Sequence, residues 1–123
     1  MIKLVFCLRR VSSLSPEEFD RYWREDHAAL VRRHSAALRI RRYTQSAPFS
    51  DPRIAATLQA RGSTVAPYDG VAELYWDSID DLVAVGASNE GRDAGRALLE
   101  DERRFIDLAE SPIFYTEERI VLP

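Results

Sequence analysis

The 123-residue chain carries two histidines, His27 and His34, and a single cysteine, Cys7, so acid–base or ligand-holding chemistry has few places to sit. His27 is the sharpest candidate, because an imidazole titrates near neutral pH and serves as general acid, general base or hydrogen-bond donor to a carbonyl or phenol. The alternative is a core histidine whose nitrogens are satisfied by backbone or water. Asp101 lies in the middle of an apolar helical stripe, between Leu98 and Phe105, where a lone carboxylate is costly to desolvate and must find a partner. An Asp101–His27 pair would orient the imidazole and raise its basicity. A structural carboxylate that caps a backbone N–H or bonds Tyr43 remains the other reading. Tyr22 and Trp23 flank His27 within a helical turn, and their faces either wall an aromatic ligand or pack in the core. Glu73, beside Leu74, Tyr75 and Trp76, either points into a pocket or faces solvent at a sheet edge.

Other chemistries are absent from the pattern. His34 follows His27 by seven residues, on the order of 10 Å along a helix axis, which argues against a shared metal. No i,i+4 histidine pair, His/Glu/Cys set or facial triad occurs, so no metal site is expected. One cysteine excludes an internal disulfide and a thiolate cage, and Cys7 reads as a small buried filler in the first strand. No Gly-x-Gly-x-x-Gly fingerprint or phosphate loop encodes a nicotinamide, flavin or nucleotide site, so an enzyme here would work without a recognisable bound cofactor. A net charge of −3 gives no general attraction to phosphate or acidic membrane. No apolar run approaches the roughly 20 residues that span a bilayer, and Arg9 and Arg10 stand on the wrong side of a short apolar segment for a signal peptide. The expectation is a cytoplasmic protein with neither nucleic acid nor membrane as partner.

The elements that must position these residues are legible. Ser15 is a natural N-cap, Pro16 suits the first helical position, and Glu18 completes a capping box. A helix is therefore predicted from about Ser15 to His34. At 100° per residue one face carries Phe19, Tyr22, Trp23, Asp26, His27, Leu30, Val31 and His34. Residues 2–10 alternate as a strand, residues 37–46 read as a second, and Val71–Trp76 as a third. Residues 47–67, with Pro48, Pro52, Gly62 and Pro67, form a long excursion with a short helical turn over residues 53–60, a candidate lid or dimer arm. Ser78 caps a further helix through Asp81; after a break at residues 88–91 the spacing of Ala94, Ala97, Leu98, Asp101, Phe105 and Leu108 continues it. Pro112 forces an exit, and residues 113–122 alternate as a last strand.

The order βαββαβ predicts one α+β, ferredoxin-like domain over residues 1–123, with an antiparallel four-stranded sheet covered on one face by two helical segments. The bare sheet face calls for a partner, and two such sheets packed face to face make a homodimer. RNA-recognition modules share the order but need aromatics in a basic motif on the first and third strands, which residues 3–8 lack.

Taken together, Leu14–Phe19, Tyr22-Trp23, His27, Arg42-Tyr43, Tyr68–Trp76, Asp101-Glu102, Phe105 and Asp107 closely resemble the EthD domain family, in order and over nearly the whole chain. The resemblance implies a dimeric α+β barrel. The family takes its name from a protein encoded with a cytochrome P450 ether-degradation system, and related members act as cofactor-free dehydratases or cyclases on aromatic polyketides. The positions that match are Tyr22, Trp23, His27, Tyr43, Asp69, Trp76, Asp101 and Phe105, whereas residues 47–67 are less family-like. The expected protein binds a small apolar, aromatic or polyketide-like ligand between sheet and helices. His27 would act as acid–base residue and Asp101 would orient it. Tyr22 and Tyr43 would bond a ligand oxygen, and Trp23, Trp76 and Phe105 would form walls. Two competing readings are a non-catalytic accessory protein serving an oxygenase partner and a cofactor-independent monooxygenase on the same fold.

Overall fold

The computed structural model describes residues 1–123 throughout. Four strands form from segments rich in β-branched, aromatic and other apolar residues, β1 (Ile2–Leu8), β2 (Arg42–Ser46), β3 (Gly70–Trp76) and β4 (Ile113–Glu117). All neighbouring pairs are antiparallel, in the order β2-β3-β1-β4, which is the ferredoxin-like arrangement.

The first helical body begins where the capping box places it: the Glu18 N–H donates to Ser15 Oγ at 3.1 Å and the Ser15 N–H donates to Glu18 Oε1 at 2.9 Å. It is not α-helical throughout. Between α1 (Pro16–Arg21) and α2 (Ala28–His34) lies a π-helical turn over Tyr22–His27, a wider i→i+5 winding. A 3-10 turn at Pro52–Ile54 and α3 (Ala55–Arg61) occupy the long excursion, and neither buries a residue. Ser78 caps α4 (Ile79–Ala87) through the Asp81 N–H, and Ser88 ends α4 and caps α5 (Asn89–Phe105) through the Gly91 N–H.

The register puts Leu4, Phe6 and Leu8 opposite Leu74, Ala72 and Gly70 on the face toward the helices. Phe6, Leu8, Ala72, Leu74 and Trp76 pack there with Phe19, Trp23, Phe105 and Ile106; Val31, Leu38, Ala94 and Leu98 form a second cluster. Gly70 is required because the Trp23 ring lies where a Cβ would stand.

Several sequence-based bounds are corrected: the first strand ends at Leu8 rather than residue 10, and the helix expected to resume after residue 91 resumes at Asn89. The second strand begins at Arg42 rather than residue 37, because Leu38 turns inward and accepts a hydrogen bond from Trp76 Nε1 at 2.7 Å, while Arg39 takes a left-handed φ of 54°. The last strand stops at Glu117, and Ile120, Val121 and Leu122 are exposed beyond it. Leu108 lies past the end of α5 in a separate 3-10 turn. The single cysteine is also only half-buried, since Cys7 lies on the bare sheet face.

Candidate functional site

The π-helical turn decides how the site is built. At 100° per residue Tyr22 and His27 would stand about 140° apart on an α-helix, yet both reach the same carboxylate. Tyr22 Oη donates to Asp101 Oδ1 at 2.5 Å and His27 Nδ1 lies 2.8 Å from Asp101 Oδ2. A wider turn rotates residues i and i+5 toward the same side of the helix. The next N–H, that of Ala28, reaches back to the carbonyls of Trp23 and Glu25. The Trp23 carbonyl also accepts from Gln45 Nε2 of β2 at 2.9 Å, which ties the turn to the sheet. The outward side of the turn holds Arg24, Glu25 and Asp26, all exposed; Asp26 thus departs from the buried face the periodicity assigned it.

With Nδ1–H donated to Asp101, the neutral imidazole has its Nε2 lone pair free. Burial pushes the His27 pKa below its usual 6.5, against the opposing pull of Asp101. Phe105 packs at a tilt against the ring, 5.0 Å between centroids, and also packs on Phe19 and Tyr22. Burial, reinforced by the Asp101 bond, raises the Tyr22 pKa.

On the other side of the ring is a cavity of about 400 Å³ between the sheet and α2, α4 and α5. Its walls are mainly apolar, with Leu4, Phe6, Leu8, Ala72, Leu74 and Trp76 from the sheet and Val31, Leu82, Val85 and Leu98 from the helices. Exposed Gly86, Leu99, Ile113 and Tyr115 border it where it meets the surface. The residues on the lining that carry titratable groups are His27, Tyr43, Glu102 and, at the mouth, Tyr115. Tyr43 Oη accepts from Gln45 Nε2 at 2.9 Å, and burial raises its pKa.

The anticipated residues therefore divide. Trp23, His27, Tyr43 and Trp76 line the cavity. Tyr22, Asp101 and Phe105 do not: they sit behind His27, so Tyr22 bonds Asp101 instead of a ligand and Phe105 supports the imidazole instead of walling the pocket. Asp69 is remote too, holding the Arg10 N–H at 2.9 Å and its guanidinium at 3.3 Å. Glu73 points to the bare face of the sheet from an interior strand and pairs with Lys3 at 2.7 Å.

Glu102 entered the sequence reading only as part of the Asp101-Glu102 resemblance, with no site role. Its carboxylate Oε2 stands 4.0 Å from His27 Nε2, and burial, with a further push from Asp101, raises its pKa from 4.5 to about 7. The signal was there, since Glu102 follows Leu98 by four residues and Ala94 by eight on the same inward stripe. No three His, Cys, Asp or Glu side chains come together to hold a metal ion, and no helix is long and apolar enough to cross a membrane.

These features define a ferredoxin-like α+β domain with an apolar cavity and a carboxylate-anchored histidine at its wall. The EthD domain model matches residues 12–109, and the chain belongs to that family. Among solved structures it is similar to an EthD family protein from Bacillus halodurans, at 18% identity and TM-score 0.63, over 97% of this chain and 99% of that one. It is also similar to an EthD-like protein from Ralstonia eutropha, at 13% identity and TM-score 0.54, over 98% and 93%. A hypothetical protein from Arabidopsis thaliana aligns at 13% identity and TM-score 0.55, over 99% and 91%. At these identities the likeness is one of fold. No curated protein matches the chain.

Proposed function

We propose that the domain binds a small, largely apolar aromatic or polyketide-like molecule in the 400 Å³ cavity and moves a proton on it, with His27 Nε2 as the acid–base atom. The observation that carries this reading is the arrangement of one buried imidazole: Nδ1 fixed by Asp101 at 2.8 Å and Nε2 directed to an apolar cavity. Asp101, itself held by Tyr22, fixes the tautomer and stabilises the imidazolium that forms when Nε2 takes a proton. Aldol-type cyclisation, β-elimination of water and enol-mediated isomerisation of a carbonyl compound each begin with such a transfer at the carbon next to the carbonyl.

The test needs no knowledge of the natural substrate. Deuterium uptake at the α-carbon of 2-tetralone, a bicyclic ketone, is followed by proton NMR in D₂O. Wild type is expected to accelerate uptake and His27→Ala to lose about a hundredfold of that acceleration, the usual weight of an acid–base group. A loss of threefold or less removes His27 from the role, and binding without exchange favours the accessory reading, in which the domain holds a substrate for an oxygenase.

We place a second copy of the chain on the bare sheet face. Val5, Cys7 and Val71 are half-buried there beside Phe114, which is 49% exposed, and Tyr75. This makes an apolar strip framed by the Lys3–Glu73 pair and by Arg42 against the Tyr75 ring.

A further inference from the structure

His27 Nε2 and the Glu102 carboxyl have no hydrogen-bond partner within the chain, although both line the same apolar cavity. Two polar groups so placed are satisfied by whatever occupies the space between them. Their separation of 4.0 Å is too long for a hydrogen bond to each other. It does suit a single oxygen that lies about 2.8 Å from each. The two groups also differ in what they offer. The Asp101 carboxylate 2.8 Å from Nδ1 favours the tautomer with its proton there, and in that tautomer Nε2 is an acceptor. A protonated Glu102 is a donor, and burial favours that form up to about pH 7.

We infer that Glu102 and His27 together form a two-point site for one hydroxyl of the ligand, a phenol or enol O–H that donates to His27 Nε2 while its oxygen accepts from Glu102. The inference rests on the ligand-cavity reading above and narrows it. A hydroxyl meets both groups at once, whereas an ether or a ketone without its enol form satisfies Glu102 and leaves Nε2 bare. Specificity of this sort is strong because the group left unmatched is buried. The groups facing Glu102 are His27 from the π-helical turn, Asp101 from its own helix and Tyr43 from β2. Tyr43 keeps its proton in the neutral range because burial raises its pKa. Ionisation of Glu102 would then leave two acceptors competing for one hydroxyl proton.

The probes are 2-naphthol and its methyl ether, 2-methoxynaphthalene, titrated by ligand-observed NMR at pH 6 and pH 8 against wild type, Glu102→Gln and Glu102→Leu. Wild type at pH 6 is expected to prefer the naphthol by about tenfold or more, and the preference shrinks at pH 8. Glu102→Gln, which still donates but does not titrate, keeps the preference at both pH values. Glu102→Leu loses about fivefold or more of it. Equal affinity for the two probes in wild type at pH 6, or an undiminished preference in Glu102→Leu, overturns the two-point site while leaving the cavity reading intact. If neither probe binds, the cavity reading fails and the two-point site falls with it.

Discussion

Asp101 and Glu102 are neighbours in sequence with opposite circumstances. Asp101 accepts from Tyr22 and faces His27 Nδ1, so its charge is matched by donors on both oxygens. Glu102 has an apolar cavity in front of it and the Asp101 charge beside it, and its pKa rises to about 7. Between 4.5 and about 7 the folded protein therefore binds a proton at Glu102 that the unfolded chain has released. The contribution of Glu102 is complete below about pH 4.5 and is lost as pH rises through about 7. Replacing it by glutamine removes the penalty, so Glu102→Gln should match wild type in urea denaturation at pH 4.5 and exceed it by roughly 2–3 kcal/mol at pH 8. A difference that does not grow with pH would show that Glu102 is better solvated than its surroundings imply. At this scale the sequence showed Asp101, whose cost on an apolar stripe is evident without coordinates. It hid Glu102, because which of two adjacent carboxylates faces the cavity depends on how α5 is rotated against the sheet.

Among the elements, those set by local chemistry were the most legible. The Ser15–Glu18 box and the Ser78 cap are decided within four residues, and the structure has each where the side chains place it; the break expected over residues 88–91 narrows to Ser88, whose side chain caps α5 at once. The π-helical turn was not legible. A pattern read at a fixed 100° per residue cannot register a turn that holds one residue more, and it spread Tyr22, Trp23, Asp26 and His27 over one broad face. The structure instead exposes Asp26 and gathers Tyr22 and His27 on Asp101. Long-range ties favour the wider turn, above all the bond from Gln45 of β2 to the Trp23 carbonyl. Residues 37–41 failed for a related reason: alternation suggested a strand, but the bond from Trp76 to the Leu38 carbonyl holds that segment against the helices.

For the whole molecule, alternation of β and α segments was enough to give the ferredoxin-like sheet, because few topologies satisfy that order. What covers the bare face follows from physical argument on the apolar strip around Val5, Cys7, Val71 and Phe114. If a second copy packs there, light scattering at 100 µM gives twice the chain mass of 14.0 kDa, and Val71→Arg, which puts a charge into the strip, reduces it to one. A wild-type mass of one chain at that concentration removes the dimer. The excursion at residues 47–67 lies wholly outside the core. The central claim, a neutral imidazole that turns Nε2 toward a ligand, concerns one ring held by the entire fold. The direct measurement is ¹⁵N NMR of imidazole-labelled protein at pH 7, with His34→Gln to assign the signals, before and after addition of 2-naphthol. The account predicts the Nδ1–H tautomer for His27 and a shift of its Nε2 resonance with the ligand, while His34 stays unmoved. An Nε2–H tautomer, or an Nε2 signal indifferent to bound naphthol, would contradict it.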